Sequence, residues 1–389
     1  MAESVALQGA PVATEAAQNA DMPTCVIVGD STTRVFGLNG VERLRRALRR
    51  AKVANVRLAS DNLDELSGSV VLLRADHAFE ELLFVDLLAT RGIALMAGDT
   101  PAAVHVDAKD APEVAKALLA NAPLPVELRA VTPKELSGDY NKKLRKQAVP
   151  YLIPATPENA AAIEKTIFNG SYKGVTDFIS KYVWPWPARQ VTRLAANLGL
   201  TPNMITTVGL LLTLATFWFF WHGQFALGLA CAWLMTFLDT VDGKLARVTM
   251  TSSKFGDIFD HGIDLISPPF WWWAWLHATA LSGSDATIVL GVLVIGYIAQ
   301  RLQEGYFIGV FKIEMHVWRR FDSVFRQYTA RRNPNLVILT VALLVGEPTA
   351  GIVLVAGWTA FCFAVHMTQI VQASFAKANG KPIRSWMSR

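Results

Sequence analysis

Four carboxylates set in apolar sequence constrain this chain more than anything else in it. The stretch Asp239-Thr-Val-Asp-Gly-Lys-Leu-Ala-Arg247 is followed, after eight residues, by Gly256-Asp-Ile-Phe-Asp260-His-Gly-Ile-Asp264, and strongly apolar runs flank both. An Asp near the centre of a membrane helix costs roughly 2.5–3.5 kcal/mol, so four uncompensated ones would cost on the order of 10 kcal/mol. Any fold this chain adopts must offset that cost. Hard divalent cations, which take oxygen ligands, are the natural partners for such a set.

The apolarity is unevenly placed. At 389 residues, 52% hydrophobic content and a mean hydropathy of +0.29, the chain has room for two domains and is too apolar to be wholly soluble. Residues 1–150 read as an ordinary soluble domain, whereas almost all long apolar runs and all twelve Trp, from Trp184 onward, fall later. Such crowding fits aromatic residues at and within a membrane. Residues 1–22 carry Glu3, Glu15 and Asp21 without an apolar core, which predicts a flexible polar tail rather than a secretory signal. Cys25, Cys231 and Cys362 have no metal-type spacing and read as reduced packing residues. The net charge of +5 is modest, and no nucleic-acid partner is expected.

In residues 23–150, apolar runs at 24–29, 53–58, 69–73, 93–96 and 103–106 alternate with amphipathic stretches at 41–52, 80–89 and 111–120. That alternation predicts an open α/β sheet. The loop Gly29-Asp-Ser-Thr-Thr-Arg34 leads toward a helix, where backbone amides can cradle phosphate. Residues 151–200 read as a linker and an interfacial amphipathic helix. Phe178, Tyr182, Trp184 and Trp186 there stand beside Lys181, Arg189 and Arg193, with a break at Pro185 and Pro187. Lys142, Lys143, Arg145 and Lys146 give the approach a basic face suited to anionic lipid.

Six apolar runs follow within residues 201–376, at about 204–222, 225–245, 256–281, 286–304, 335–347 and 350–374, and predict six transmembrane helices. The turns near 222, 283 and 347 contain no Lys or Arg, whereas Lys244, Arg247, Lys254, the connection 301–332 and the tail 377–389 are basic. Both termini and the four carboxylates are therefore expected on the cytoplasmic side. The Trp271-Trp-Trp-Ala-Trp275 cluster is expected to face lipid or the interface.

Asp239 and Asp242 are three apart, and Asp260 and Asp264 four apart, so each pair projects from one helix face. Two facing pairs form an oxygen cage that suits two Mg²⁺ or Mn²⁺ ions. Gly243, Ala246, Gly256 and Gly262 remove bulk beside it, while Lys244 and Arg247 add charge for phosphate oxygens. His261 is expected to support or pack rather than ligate. Arg301, Arg319, Arg320 and Arg331 are candidates to stand near an acidic acceptor. Intramembrane carboxylates also line ion pathways, so a non-enzymatic ion-binding transporter is the alternative from another class.

The full spacing, D-x-x-D-G-x-x-A-R, eight residues, then G-x-x-x-D-x-x-x-D, resembles the signature of the CDP-alcohol phosphotransferase family, with eight fixed positions matched over 26 residues. Leu200-Thr-Pro-Asn203-Met-Ile-Thr206 is similar to the entry of that family's first membrane helix. Lys165 to Thr206 looks like the fusion proteins that join an inositol-phosphate cytidylyltransferase to a di-inositol-phosphate phosphate synthase. The resemblance implies attack of an acceptor hydroxyl on the β-phosphorus of a CDP-linked donor, with CMP leaving, in phospholipid or inositol-phospholipid synthesis. It implies Asp239, Asp242 and Asp260 as metal ligands, and Asp264 as base that also touches metal. It further implies Gly243, Ala246 and Arg247 at the CMP, with Asn203, Lys244 and Gly256 as secondary positions. A homodimer in the inner or plasma membrane of a prokaryote is the expected setting, with an alcohol or lipid acceptor. Residues 24–130 resemble the cytidylyltransferase part: Gly29 and Arg34 are kept and Asp76 stands where a metal-binding Asp is presented, but a second Gly and a Pro-Lys pair are missing. These departures predict an inactive domain; a bifunctional enzyme that makes its own CDP-alcohol is the alternative. The expected architecture is thus a six-helix membrane protein with an N-terminal soluble nucleotidyltransferase-like α/β domain.

Overall fold

The computed structural model describes residues 22–142 and 144–388, so most of the predicted tail, together with Lys143 and Arg389, lies outside the described residues. The chain divides into two compact units, Met1–Asp139 with Val149–Glu164, and Tyr140–Ala148 with Lys165–Arg389. Residues 140–148 belong with the helical unit for identifiable reasons. Arg145 pairs with Glu314 at 2.5 Å, Lys146 donates to the Gly170 carbonyl, and Gln147 donates to the Met387 carbonyl at 2.7 Å. Arg145 and Lys146 are therefore engaged with protein rather than offered to lipid.

In the first unit, strands β1 (Thr24–Val28), β2 (Val56–Leu58), β3 (Ser69–Arg74), β5 (Ile93–Ala97), β6 (Thr100–Asp107) and β7 (Arg129–Val131) form one sheet in the order β2-β1-β3-β6-β5-β7. The short strand β4 (His77–Phe79) pairs with Leu152–Pro154 instead. β1 runs parallel to β2 and β3, while β6 is antiparallel to both β3 and β5. Every residue of β3 is buried, as expected of a central strand covered on both faces. Helices α1 (Gly40–Arg50), α2 (Leu82–Ala89) and α3 (Ala111–Ala120) occupy the predicted places. Asn39 caps α1 by accepting the Glu42 amide at 2.8 Å. Burial pushes the Cys25 thiol on β1 up to about 12, in keeping with an inert packing residue.

The second unit is helical. α4 (Ala160–Gly170) precedes a short π-helical turn at Ile179–Val183 and α5 (Pro185–Asn197), which begins at the proline that the sequence marked as a break. Trp186, Leu194 and Leu198 on α5 are exposed, as an interfacial helix requires. α6 (Pro202–Trp221), α7 (Phe225–Val248), α8 (Lys254–His277), α9 (Gly283–Phe311), α10 (Arg332–Leu344) and α11 (Pro348–Ala378) fall at the six expected positions. α6, α7, α9 and α11 are long and apolar enough to cross a membrane. α10, at 13 residues, is shorter than a bilayer's hydrocarbon, and α8 carries the carboxylates and a proline pair. Four spans mark an integral membrane protein.

The tryptophan cluster departs from expectation. Trp271, Trp272 and Trp275 are buried among α6, α7, α9 and α11 residues, and only Trp273 is substantially exposed. The cause is visible in the partners: the Trp271 indole N–H donates to the Thr213 carbonyl at 3.1 Å and that of Trp275 to the Pro348 carbonyl at 2.9 Å. The carbonyls of Thr213, within α6, and of Pro348, at the start of α11, supply the acceptors that let the two indoles go inside.

Pro268 and Pro269 interrupt α8. Lacking N–H groups, they release the carbonyls four residues earlier, those of Asp264 and Leu265. The Tyr297 hydroxyl of α9 lies 3.4 and 3.2 Å from these two oxygens and donates to them. The backbone that carries Asp264 is thus fixed from a neighbouring helix. Tyr297→Phe should leave both carbonyls unpaired, cost about 1–3 kcal/mol and lower the thermal midpoint by several degrees, read by tryptophan fluorescence. An unchanged midpoint would show that the carbonyls find another donor.

Candidate active site in the helical unit

α7 and α8 bring the predicted carboxylates together. Asp239 on α7, with Asp260 and Asp264 on α8, can each turn an oxygen to lie within 4.8 Å of the others. Asp242, one turn below Asp239, is 3% exposed; its Oδ2 accepts from the Thr206 hydroxyl at 2.5 Å, while Oδ1 is buried without a hydrogen-bond partner. A buried carboxylate oxygen with no donor, beside three clustered carboxylates, fits a divalent cation. The donor set is all oxygen, as Mg²⁺ or Mn²⁺ prefers.

A cation that the sequence reading passed over completes the cluster. Arg332, at the start of α10, donates from Nη2 to Asp239 Oδ2 at 2.7 Å and from Nη1 to Asp264 Oδ1. Its signal was present but ambiguous, because Arg331-Arg332-Asn333 closes a long basic connection and nothing in the spacing tells which arginine turns inward. Asn333 continues the pattern by donating to Asp177 at 2.9 Å. Burial alone would raise the Asp177 carboxyl, but donors from the Ser180 amide and Asn333 outweigh it and hold the group below the ordinary carboxylate range.

Beside the carboxylates lies a cavity of about 490 Å³, lined by Asp177, Asp239 and Asp264 and by Lys173, Arg301, Arg326, Arg331 and Arg332. Of the four arginines singled out from the sequence, Arg301 and Arg331 line it. Arg319 instead pairs with Asp322 at 3.0 Å, and Arg320 lies over the Trp386 ring. Lys173 is pushed down to about 8, chiefly by burial and then by Arg145 and Arg247. Arg301 and Arg331 each keep a buried Nε, and Arg326 a buried Nε and Nη1, without a partner. Such cations favour an anion in the cavity. His261 also lines it but is mostly exposed, bonding the Asp257 carbonyl at 2.7 Å.

The remaining predicted positions lie around α7. Arg247 Nη1 donates to the Ser171 carbonyl at 2.9 Å, and a Cβ on Gly243 would come within 3.1 Å of its Nη2, so Gly243 leaves the guanidinium room. Lys244 is buried, bonded to the same carbonyl at 3.1 Å and seated over the Tyr172 ring. It faces away from the carboxylates toward residues 171–172. The Ala246 carbonyl accepts the Thr251 amide at 2.9 Å. Gly256 admits Asn203: a Cβ there would meet Asn203 Oδ1 at 2.9 Å. Gly262 opens an apolar groove of about 570 Å³ between α6 and α8.

Clustered carboxylates beside a cavity lined with cations suit the chemistry of phosphotransfer. Residues 199–368 match the family model for CDP-alcohol phosphatidyltransferase. An archaetidylinositol phosphate synthase of Pyrococcus horikoshii is 29% identical over 186 residues, 46% of this chain and 89% of that protein. Cholinephosphotransferase 1 of Gallus gallus is 33% identical over 141 residues, covering 32% of this chain and 39% of its own. A phosphatidylinositol phosphate synthase of Mycobacterium bovis is 27% identical over 134 residues, 32% of this chain and 62% of that protein. Residues 199–368 are thus similar to the CDP-alcohol phosphatidyltransferase family, whose members transfer phosphoalcohol groups in phospholipid synthesis. The chain spans most of the Pyrococcus protein but less than two thirds of the other two.

Arg332→Ala would leave Asp239, Asp260 and Asp264 facing one another without a cation. Breaking a buried pair costs about 3–5 kcal/mol, so the thermal midpoint in EDTA should fall clearly, and millimolar Mg²⁺ should restore more stability to the variant than it adds to the wild type. Equal midpoints in EDTA would remove Arg332 from the compensation of this cluster.

Proposed function

We propose that this protein transfers a phospho-alcohol or phosphatidyl group from a CDP-linked donor to the hydroxyl of a phosphorylated alcohol, releasing CMP, in a divalent-metal-dependent reaction. The cavity lined by Asp239 and Asp264 together with Lys173, Arg301, Arg326 and Arg331 carries this reading. A phosphate monoester pairs with the cations that line this cavity, whereas a neutral or cationic headgroup does not. Two relatives named as synthases of inositol-phosphate lipids point the same way.

Asp239, Asp242, Asp260 and Asp264 would hold Mg²⁺ or Mn²⁺, the last three motif positions arriving from two helix faces. Ions bound there supply charge for the donor's pyrophosphate oxygens and for the departing CMP. In the reaction the acceptor oxygen bonds to the β-phosphorus, the bond from that phosphorus to the CMP oxygen breaks, and the hydroxyl proton passes to Asp264. Its Oδ1 is held by Arg332, so Oδ2 is the oxygen available to the proton. Gly243, Ala246 and Arg247 would face the CMP, with Asn203, Lys244 and Gly256 supporting that end. The basic-residue distribution supports cytoplasmic placement of both termini and of the site. Six crossings, with α8 and α10 completing the bundle, and a homodimer in a prokaryotic membrane belong to the same reading.

For the first unit we propose a nucleotidyltransferase-like domain without activity. Gly29 and Asp76 follow the carboxyl ends of adjacent parallel strands β1 and β3, where open sheets bind ligands. The Asp76 carboxylate is already committed, however, to Arg74 at 2.6 Å and to His77 at 2.7 Å. Burial alone would raise it, but these two partners hold it well below the ordinary range. The full-length protein given CTP and an alcohol phosphate should release no pyrophosphate; a steady burst would establish the bifunctional reading.

Asp264→Asn should lower CMP release from a CDP-linked donor by about 100-fold or more, while CMP binding stays close to that of the wild type. Chelation should abolish turnover, and Mg²⁺ should restore it. Retained turnover in D264N would refute the assignment of the base.

A further inference from the structure

Behind the cavity wall formed by Arg301 and Arg331 sits a carboxylate outside the residues that line the cavity. Glu304 on α9 has a side chain only 19% exposed, and three donors converge on it. Arg331 Nη2 and His316 Nε2, the latter at 3.2 Å, meet its Oε1, and Arg301 Nη1 lies 3.5 Å from Oε2. His316 is itself 3% exposed, and burial pushes its imidazole down to about 3, so it is a neutral donor that leaves the carboxylate's charge to the two arginines. The fully buried His366 ring stands 5.4 Å from His316 and closes that side to water.

Long cationic side chains at a ligand site lose rotamer entropy when they are held in place, and close guanidinium groups repel one another. A fixed carboxylate on the far side reduces both penalties, because it orients the groups and balances them before a ligand arrives. We propose that Glu304 is a positioning residue for acceptor binding: it holds Arg301 and Arg331 at the cavity wall and so sets affinity for the acceptor's phosphate without touching it. His316 fixes Glu304 in turn. The assignment rests on the phosphorylated-acceptor reading above.

The test uses the full-length protein in lipid nanodiscs, with inositol 1-phosphate and glycerol 3-phosphate as probes and CMP as the reference ligand, by isothermal titration. Glu304→Gln keeps the side-chain shape and removes the charge. It should weaken binding of the tighter probe by about tenfold, leaving CMP binding within about twofold, and Arg331→Ala should weaken the probe at least as much. If R331A weakens the probe but E304Q binds it as the wild type does, the positioning role is overturned and the acceptor reading stands. If neither variant changes binding, or the wild type binds neither probe, the acceptor reading fails and the positioning role falls with it. Equal loss of CMP and probe in E304Q marks a merely structural role and also overturns the proposal. Should E304Q not fold, Glu304→Asp, which withdraws the charge by one methylene, carries the same comparison.

Discussion

Charge compensation inside an apolar helix bundle is the constraint on which the second unit depends. Protein offsets Asp239, Asp242, Asp260 and Asp264 only in part: Arg332 reaches Asp239 and Asp264 and Thr206 serves Asp242, while the unpartnered Asp242 Oδ1 and the clustered Asp260 fit a cation. α10 fits this role. It is too short for an ordinary crossing, and its start delivers Arg331, Arg332 and Asn333 to four carboxylates, Glu304, Asp239, Asp264 and Asp177. Neighbouring helix residues point about 100° apart, so a run of three polar residues can serve three walls at once.

The carboxylate positions were legible in the sequence because their spacing equals the helix repeat, and periodicity survives without knowledge of tertiary structure. The sheet strands were legible for the same reason, as short apolar runs bounded by turn residues. What the sequence left open was direction. The tryptophans of α8 look alike on paper, and only carbonyls supplied by Thr213 and Pro348 decide that Trp271 and Trp275 turn inward. Arg319, Arg320, Arg331 and Arg332 likewise stand in one basic stretch, and only their distant partners separate cavity from surface. Boundaries suffered similarly, since a break near residue 150 follows composition, whereas Arg145 and Gln147 follow their bonds to Glu314 and Met387.

The proline pair shows how a local defect becomes a fixed point. Pro268 and Pro269 leave two carbonyls unpaired within a turn of Asp264, a cost that an isolated helix in lipid could not meet. Tyr297 meets it, and the same ring lies 5.1 Å beneath the Arg301 guanidinium and 5.5 Å from Trp272. One side chain thereby links the backbone under the proposed base to the first cation of the acceptor wall. That linkage explains why Asp264 can be held firmly in the half of α8 where the hydrogen-bond ladder is weakest.

Seen from the cavity, the two sides are built on different principles. The carboxylate side is under-compensated by protein, with Arg332 offsetting only part of its charge, which suits a site that must accept cations. The cationic side carries an excess of positive charge at the surface of the cavity, tempered by Glu304 outside the lining and by Asp177 within it. A ligand with a phosphate at one end and a hydroxyl at the other would satisfy both in the proposed reaction, its phosphate meeting Lys173, Arg326 and Arg331 and its hydroxyl reaching Asp264. In the proposed reaction the polarity of the cavity would orient such an acceptor before any chemistry begins, and the uneven distribution of countercharge around it is the feature that would give the site a direction.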